Sequence, residues 1–331
     1  MLRLPDFRYV VPRTIKEAVR IKADHGPEAM YVAGGTDLYP NMKRRHQMPT
    51  VVIQVAHLKP LRGVRASKGR GLRVGAGETL TALDRHRRLR RDCGALAHAA
   101  EEVSTPILRN MGTFGGNLCL DTRCNYYNQN YEWRKAIDFC MKKDGTICWV
   151  APSSPRCWAV NSSDTAPVVV ALGAEIELVG PEGERTIPAH ALYKNDGMDY
   201  LGKGPDELVS AAWLPEPNGW AASYVKLRRR GSFDFPVLGV AVWVKRDGKA
   251  LDAPVVDARV VLGAVASYPM PVPKAAEALI GRPLNDESIH DAAEAAWRPA
   301  KPMDNTDYHL AWRKEMVRVN VGRALRGVAR P

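Results

Sequence analysis

Ala33-Gly34-Gly35-Thr36-Asp37-Leu38 and Gly112-Thr113-Phe114-Gly115-Gly116-Asn117 are two glycine-paired turns, each after an apolar run. Glycine has no Cβ, so a paired-glycine backbone can come close to a ligand and aim several N–H groups at one spot. That suits a pyrophosphate, with the Thr36 and Thr113 hydroxyls as further donors. A Gly-Gly pair also serves simply to make a turn, so the dinucleotide reading rests on there being two of them. The standard dinucleotide loop is missing: Gly75-Ala76-Gly77 lacks the third glycine of G-x-G-x-x-G. No G-x-x-x-x-G-K-[ST] and no H-E-x-x-H occurs. A dinucleotide site in this chain is therefore not of the Rossmann kind.

Directly after the second turn come four cysteines, Cys124, Cys140, Cys148 and Cys157, spaced C-x15-C-x7-C-x8-C. Disulfides fit poorly. Met1-Leu2-Arg3-Leu4-Pro5-Asp6 has no apolar signal core, so export is not expected and the chain reads as cytoplasmic. Zinc sites place their ligands in close C-x2-4-C pairs, and these four contain none. Widely spaced thiolates can still converge on one cluster, and a [4Fe–4S] centre takes four. Four unrelated buried cysteines are the plain alternative. Cys93 and Cys119 fall outside the pattern and read as structural.

The chain has 331 residues, 45% hydrophobic and 25% charged, enough for two or three domains. No run of about 18 apolar residues occurs, so no membrane span is expected. The formal net charge is +12. The most basic segment, Arg85–Arg91, has no interleaved aromatics and follows Thr81-Ala82-Leu83-Asp84, which reads as a helix start. A solvated helix face, met by an acidic partner subunit, explains this better than nucleic acid does.

Thr14-Ile15-Lys16-Glu17 reads as a capping box opening a helix to Asp24, with Gly26 to end it. Met30–Ala33 and Thr50–Ala56 are short apolar or β-rich runs, and a βαβ-like unit closes near residue 58. A second unit opens with the strand Gly71–Gly77 and turns helical as far as Val103. From 118 to 158 the hydrophobic periodicity fades. A long irregular insertion of this kind is uncommon unless it is functional or held by a metal. Regularity returns at Pro167–Gly173, followed by the alternating strand Ala174–Val179. Pro215–Gly219 reads as a linker. Beyond it come strands at Val237–Val244 and Ala258–Val265 around an Asp247-Gly248 turn, then helices at Ile289–Trp297 and from Tyr308 to Leu325. The expected division is 1–58, 59–216 with the insertion at 118–158, and 217–331. By itself, Lys226 reads as a solvated basic strand end. No nucleophile–base pair is supported, so no catalytic residue is assigned.

The runs Ala33–Leu38, Thr113–Leu118 and Ser163-Asp164-Thr165-Ala166-Pro167, with Leu172 after them, resemble the FAD-binding medium subunit of the molybdenum hydroxylase (xanthine oxidase) family. The resemblance covers essentially the whole chain. It implies an α+β fold: a two-part FAD-binding domain of the vanillyl-alcohol-oxidase-like (PCMH) type, then a C-terminal sheet-and-helix domain. It implies that Ala33, Gly34, Gly35, Thr36 and Asp37, with Thr113, Gly115, Gly116 and Asn117, hold the pyrophosphate of FAD. Asp164 would meet the ribityl chain or nearby polar atoms. Lys226, in a Y-x-K-x-R context, would lie by the flavin, which reverses the solvated reading. Val209 would pack near the ring.

In most of that family the GGN turn runs quickly into the Asp164 segment. Here the residues between them hold the four cysteines. That insertion, headed by Asp121-Thr122-Arg123-Cys124-Asn125-Tyr126-Tyr127-Asn128-Gln129, resembles the β subunit of 4-hydroxybenzoyl-CoA reductase, with its added [4Fe–4S] cluster. The resemblance implies Cys124, Cys140, Cys148 and Cys157 as the metal ligands. It further implies a dimer of heterotrimers with a large molybdopterin subunit and a small [2Fe–2S] subunit. Electrons would pass from a ferredoxin-like donor through the cluster and FAD to the partner [2Fe–2S] and molybdenum, for reductive dehydroxylation of 4-hydroxybenzoyl-CoA. The rivals are a related subunit oxidising an aromatic, heterocyclic or aldehyde substrate, a self-contained FAD oxidoreductase, and a zinc-stabilised binding module.

Overall fold

The computed structural model describes residues 2–248, 250 and 252–329. β1 (Arg8–Val10), α1 (Ile15–His25), β2 (Ala29–Val32), α2 (Leu38–Lys43) and β3 (Val51–Gln54) form the first unit. Its three strands are parallel, in the order β1-β3-β2. The Thr14 hydroxyl caps α1 by accepting from the Glu17 N–H at 3.1 Å. The Glu17 carboxylate accepts instead from the Arg13 N–H at 2.7 Å, so the capping box is not reciprocal. Gly26, at φ +50°, ends the helix.

β4 (Val64–Ser67), β5 (Gly71–Gly75), β6 (Glu175–Gly180), β7 (Gly183–Pro188) and β8 (Leu208–Leu214) form an antiparallel sheet in the order β4-β5-β8-β6-β7. The helical stretch after β5 is three helices: α3 (Leu80–Arg85), α4 (Arg87–Asp92) and α5 (Gly94–Glu102). α3 is capped by Thr79, whose hydroxyl accepts from the Ala82 N–H at 3.1 Å. The start therefore lies before Thr81, where the sequence had placed it. The chain breaks at His86, whose Nδ1 accepts from the Leu89 N–H at 3.3 Å and caps α4. α6 (Pro106–Arg109) and α7 (Phe114–Leu118) lead through the second glycine turn. The insertion carries one short helix, α8 (Tyr131–Ala136). α9 (Thr165–Leu172) then runs buried along its whole length to Gly173, at φ +66°.

β9 (Trp220–Leu227), β10 (Leu238–Arg246), β11 (Val255–Gly263) and β12 (Met270–Pro271) make the third sheet, antiparallel in the order β12-β11-β10-β9. α10 (Pro273–Glu277), α11 (Asp286–Trp297) and α12 (Leu310–Ala329) follow. β10 is buried on both faces. Ala241 and Trp243 join the core that includes Leu96, Val169 and Val209, while Leu238, Val240, Val242 and Val244 join the core of α11 and α12. This is why its sequence is an unbroken apolar run. Each such Val or Leu contributes about 1.5–3 kcal/mol when fully buried, so this strand fastens the C-terminal sheet to the preceding one. Among the described residues no helix is long and apolar enough to cross a membrane.

Candidate cofactor-binding site

The structure brings the two glycine turns into direct contact. A Cβ on Gly34 would lie 1.9 Å from the Met111 carbonyl oxygen, and one on Gly112 would lie 3.4 Å from the Thr36 hydroxyl. Gly35 sits at φ +71°, and a Cβ there would meet the Tyr39 ring at 2.4 Å. Only glycine allows both the approach and the conformation. Among the described residues no protein acceptor meets the backbone N–H groups of Gly34, Gly35, Thr36 or Asp37. Successive N–H groups left free in a turn form an anion-binding nest, so the first turn fits a pyrophosphate.

The second turn spends its donors on the protein. The N–H groups of Gly112, Phe114, Gly115 and Asn117 donate to the carbonyls of Leu108, Glu78, Ala76 and Thr113 at 2.7, 2.8, 2.8 and 2.9 Å. The Gly116 N–H donates to the Thr113 hydroxyl at 3.2 Å. Only the Thr113 N–H lacks a protein acceptor among the described residues of this turn. The missing Cβ of Gly115 makes room for the Ala76 side chain, which one would approach to 2.6 Å. The Asn117 Oδ1 accepts from the Ser163 hydroxyl at 2.8 Å, the Thr165 hydroxyl at 2.7 Å and the Thr165 N–H at 3.1 Å. Asn117 thus ties the turn to the start of α9.

Asp164 and Lys226 are buried against each other. The Lys226 Nζ donates to Asp164 Oδ2 at 2.9 Å and to the Glu102 carbonyl at 2.8 Å. The Tyr224 hydroxyl donates to Asp164 Oδ1 at 2.8 Å. Burial pushes the Asp164 carboxyl up, against the pull of Lys226. Lys226 has a side chain 1% exposed, so it is not a solvated strand end. Val209, on β8 opposite Leu178, is buried in the core.

The insertion docks on the first turn. Arg123 Nη2 donates to the Asp37 carboxylate and, at 2.7 Å, to Asn41 Oδ1. The Arg123 backbone pairs with Val160 in both directions, at 3.0 and 2.7 Å. Burial raises Asp37, with Arg123 opposing it. Lys142 is buried too and donates to Asp121 Oδ1, Thr122 Oγ1 and the Gly197 carbonyl at 2.9, 2.7 and 2.6 Å. The Tyr127 ring stacks on His46 at 4.3 Å. Sequence reasoning gave Arg123, Asn41 and Lys142 no role. The available signal was the charged pair Asp121 and Arg123 beside the first cysteine.

Cys124, Cys140, Cys148 and Cys157 are all buried and free of disulfides. Burial pushes the Cys124 thiol up to about 11, and Cys140 and Cys148 add to the effect. The mutual influence of the Cys148 and Cys157 thiols holds Cys148 down and pushes Cys157 up. Each of the four is thus within electrostatic reach of another. The Tyr127 N–H donates to Cys124 Sγ at 3.3 Å and the Ala159 N–H to Cys157 Sγ at 3.4 Å. Among the described residues no group of three or more His, Cys, Asp or Glu is arranged to hold a metal ion. By donor chemistry, four sulfurs suit iron–sulfur or zinc rather than magnesium or calcium. Cys93 lies in the main core, its thiol raised to about 12 by burial, and Cys119 is half-buried. A cavity of about 630 Å³, lined by Val170, His190, Arg259 and Pro273, involves neither the glycine turns nor the cysteines.

An α+β chain with two apposed glycine turns and a free N–H nest is a non-Rossmann nucleotide-cofactor protein. Residues 5–217 match the FAD binding domain in molybdopterin dehydrogenase, and residues 222–328 match the CO dehydrogenase flavoprotein C-terminal domain. The chain belongs to this family of FAD-binding flavoproteins. It is 33% identical over 302 residues to the aldehyde oxidoreductase FAD-binding subunit PaoB of Escherichia coli K12, covering 88% of this chain and 91% of that one. It is 26% identical over 321 residues to the carbon monoxide dehydrogenase medium chain of Hydrogenophaga pseudoflava, covering 95% of each. A CO dehydrogenase structure from Oligotropha carboxidovorans shares the fold, with a TM-score of 0.81 at 24% identity over 99% of both chains.

Proposed function

We propose that this chain is the FAD- and [4Fe–4S]-bearing electron-transfer subunit of a heterotrimeric molybdenum enzyme. The observation that carries the reading is Arg123. It immediately precedes Cys124 and is bonded to Asp37 of the first glycine turn, so the flavin loop and the cysteine loop meet at one residue. When bound, FAD and the cluster would supply an electron relay shared with the [2Fe–2S] centre of a small partner subunit, run toward that centre for a reduction and away from it for an oxidation. This chain's residues bind and orient. The turn Ala33–Asp37 takes the pyrophosphate on its free N–H groups, with the Thr36 hydroxyl and the Thr113 N–H beside it. Gly115, Gly116 and Asn117 set the second turn against the first. Asp164 and Lys226 form a buried charge pair at the flavin's polar side, and Val209 backs the ring from the core. Cys124, Cys140, Cys148 and Cys157 match a [4Fe–4S] cluster in number and type. Substrate chemistry and molybdopterin belong to a large subunit, within a cytoplasmic dimer of heterotrimers. The division 1–58, 59–216 and 217–331 follows the three sheets.

Two reactions are compatible with this role. The head of the insertion supports reductive dehydroxylation of 4-hydroxybenzoyl-CoA, fed by a ferredoxin-like donor. The 33% identity to an aldehyde oxidoreductase FAD-binding subunit supports oxidation of an aldehyde or a related aromatic or heterocyclic substrate, and we favour it. The test is the visible spectrum and metal content of anaerobically purified chain. FAD and about four irons per chain are expected, without zinc. The isolated chain should reduce a dye from an artificial donor and turn over neither aldehyde nor aromatic thioester. Zinc without iron or flavin would establish the binding-module reading instead. Turnover by the isolated chain would overturn the subunit reading. Offering both substrates to the holoenzyme decides between the two reactions.

A further inference from the structure

Asn305 lies buried in the irregular stretch between α11 and α12, and it bonds both stems of the cysteine insertion. Its carbonyl accepts from the N–H of Asn125, the residue after Cys124, at 3.0 Å. Its side-chain Nδ2 donates to the carbonyl of Trp158, the residue after Cys157, at 2.7 Å. The first and last of the four cysteines are therefore each one residue away from a bond to the same asparagine.

Asn305 is itself fixed by the C-terminal domain. Arg313, fully buried on α12, donates from Nη1 to Asn305 Oδ1 at 3.3 Å and to the Met303 carbonyl at 2.8 Å. Its Nε and Nη2 donate to the carbonyls of Val237, just before β10, and Ala264, just after β11, at 3.1 and 2.6 Å. A guanidinium holds its donors in a rigid fork, so the stretch 303–305 is set against the ends of two core strands. The second stem is also held through its backbone. The Asn161 N–H donates to the Ala266 carbonyl at 3.0 Å, and the Asn161 carbonyl accepts from the Ala264 N–H at 3.2 Å.

We infer that Asn305 is the clasp of the cysteine insertion: its amide joins the two stems and so positions Cys124 and Cys157, with Arg313 as the strut behind it. The entropy lost in closing a loop is settled where its ends meet, so a bond at the neck confines every residue between. Without the Asn305 donor the Trp158 carbonyl is left buried and unpaired, and it regains a partner only by opening the stem to water. The inference concerns how the protein closes this loop and stands apart from what the four thiols hold.

The experiment compares wild-type, Asn305→Asp and Asn305→Leu full-length chains, stripped of metal by a chelator under reducing conditions. Asn305→Asp keeps an acceptor for Arg313 but has no donor for Trp158. Asn305→Leu has neither. Iodoacetamide labelling is followed cysteine by cysteine by mass spectrometry, beside hydrogen exchange and a melting curve. In both variants labelling of Cys124 and Cys157 should rise about tenfold or more, the size of one lost buried hydrogen bond, with faster exchange at Asn125 and Val160. Cys93, in the main core, and the β10 amides should not change. Wild-type labelling in Asn305→Asp overturns the inference, even if Asn305→Leu is loosened, because the Trp158 bond would then not be what holds the stem. An equal rise at Cys93 and in β10 overturns it as well, since Asn305 would serve the fold at large, and so does failure of both variants to fold. Stripped wild-type chain that labels as fast as the variants would show that a metal, not Asn305, closes the loop.

Discussion

Gly34→Ala tests whether the contact between the two turns makes the flavin site. The added Cβ would sit 1.9 Å from the Met111 carbonyl oxygen, about 1.5 Å short of ordinary contact. The obstacle is backbone and cannot swing aside, so the turns must separate. A movement of that size is about half the length of an N–H···O bond, and the nest at residues 34–37 would no longer face its ligand. Forcing a methyl into a close-packed contact costs about 1–3 kcal/mol. If that cost falls on the bound geometry, the Kd for FAD rises about 5- to 150-fold, at 1.4 kcal/mol per factor of ten. The assay is a fluorescence titration of deflavinated protein with FAD, beside a melting curve that separates loss of the site from loss of the fold. Gly116→Ala should do less, since its Cβ meets only the Thr113 hydroxyl, at 3.0 Å. Gly94→Ala, with nothing within 4 Å, should bind like the wild type. A folded Gly34→Ala chain with wild-type affinity would refute the placing of the pyrophosphate at the apposed turns.

Arg123→Met leaves the half-buried Asp37 carboxylate without its cation, a loss below the about 3–5 kcal/mol of a fully buried pair, so FAD should dissociate more readily and residues 119–157 should become protease-sensitive; unchanged affinity and digestion would count against the docking role. Cys140→Ser should lose about four irons per chain, while Cys93→Ser, in the hydrophobic core, should lose none. Equal iron loss in the two would show that the wrong four ligands were chosen. Burial, and then the charge of Arg134, holds His46 down to about 4, so the folded chain carries it neutral. Its folded pKa is depressed, so the stability it confers is complete above about pH 6.5 and is lost as pH falls toward 4, on the order of 3 kcal/mol at most. Urea unfolding from pH 7.5 to 4.5 should therefore show a shallower loss in His46→Gln, and identical pH slopes would refute the assignment.

Local signals were legible and partnerships were not. The glycine pairs, the cap at Thr14, Gly26 and the irregular stretch after Leu118 are all written in neighbouring residues. α9 shows no amphipathic period because every residue of it is buried, which removes the signal rather than weakening it. β9 begins Trp220-Ala221-Ala222-Ser223, three small residues after a tryptophan with little strand pattern, so only its end at Lys226 is legible in the sequence. The basic stretch Arg85–Arg91 read as one helix because nothing in its composition announces that His86 turns its ring back to cap a new one. Lys226 looked solvated because its partner, Asp164, is 62 residues away. Arg123 looked unremarkable because Asp37 is 86 residues away.

The two turns look alike in sequence, yet their hydrogen bonds divide the work. In the first, four N–H groups have no protein acceptor among the described residues, so they are free for water or for a ligand. In the second, the donors are taken by Leu108, Glu78, Ala76 and Thr113, so this turn is mostly a wall against which the first is set. Its asparagine works in the opposite direction, away from the nest. Asn117 holds Ser163 and Thr165, the residues on either side of Asp164, and Asp164 holds Lys226 and Tyr224 of β9. One line of side chains therefore runs from the second turn through the head of α9 into the C-terminal sheet. On the other side, Arg123 runs from the first turn into the cysteine insertion. With the flavin held at the first turn as proposed, its site is the point at which the insertion and the C-terminal sheet are both anchored, and a disturbance of either should register first as a change in how FAD is held.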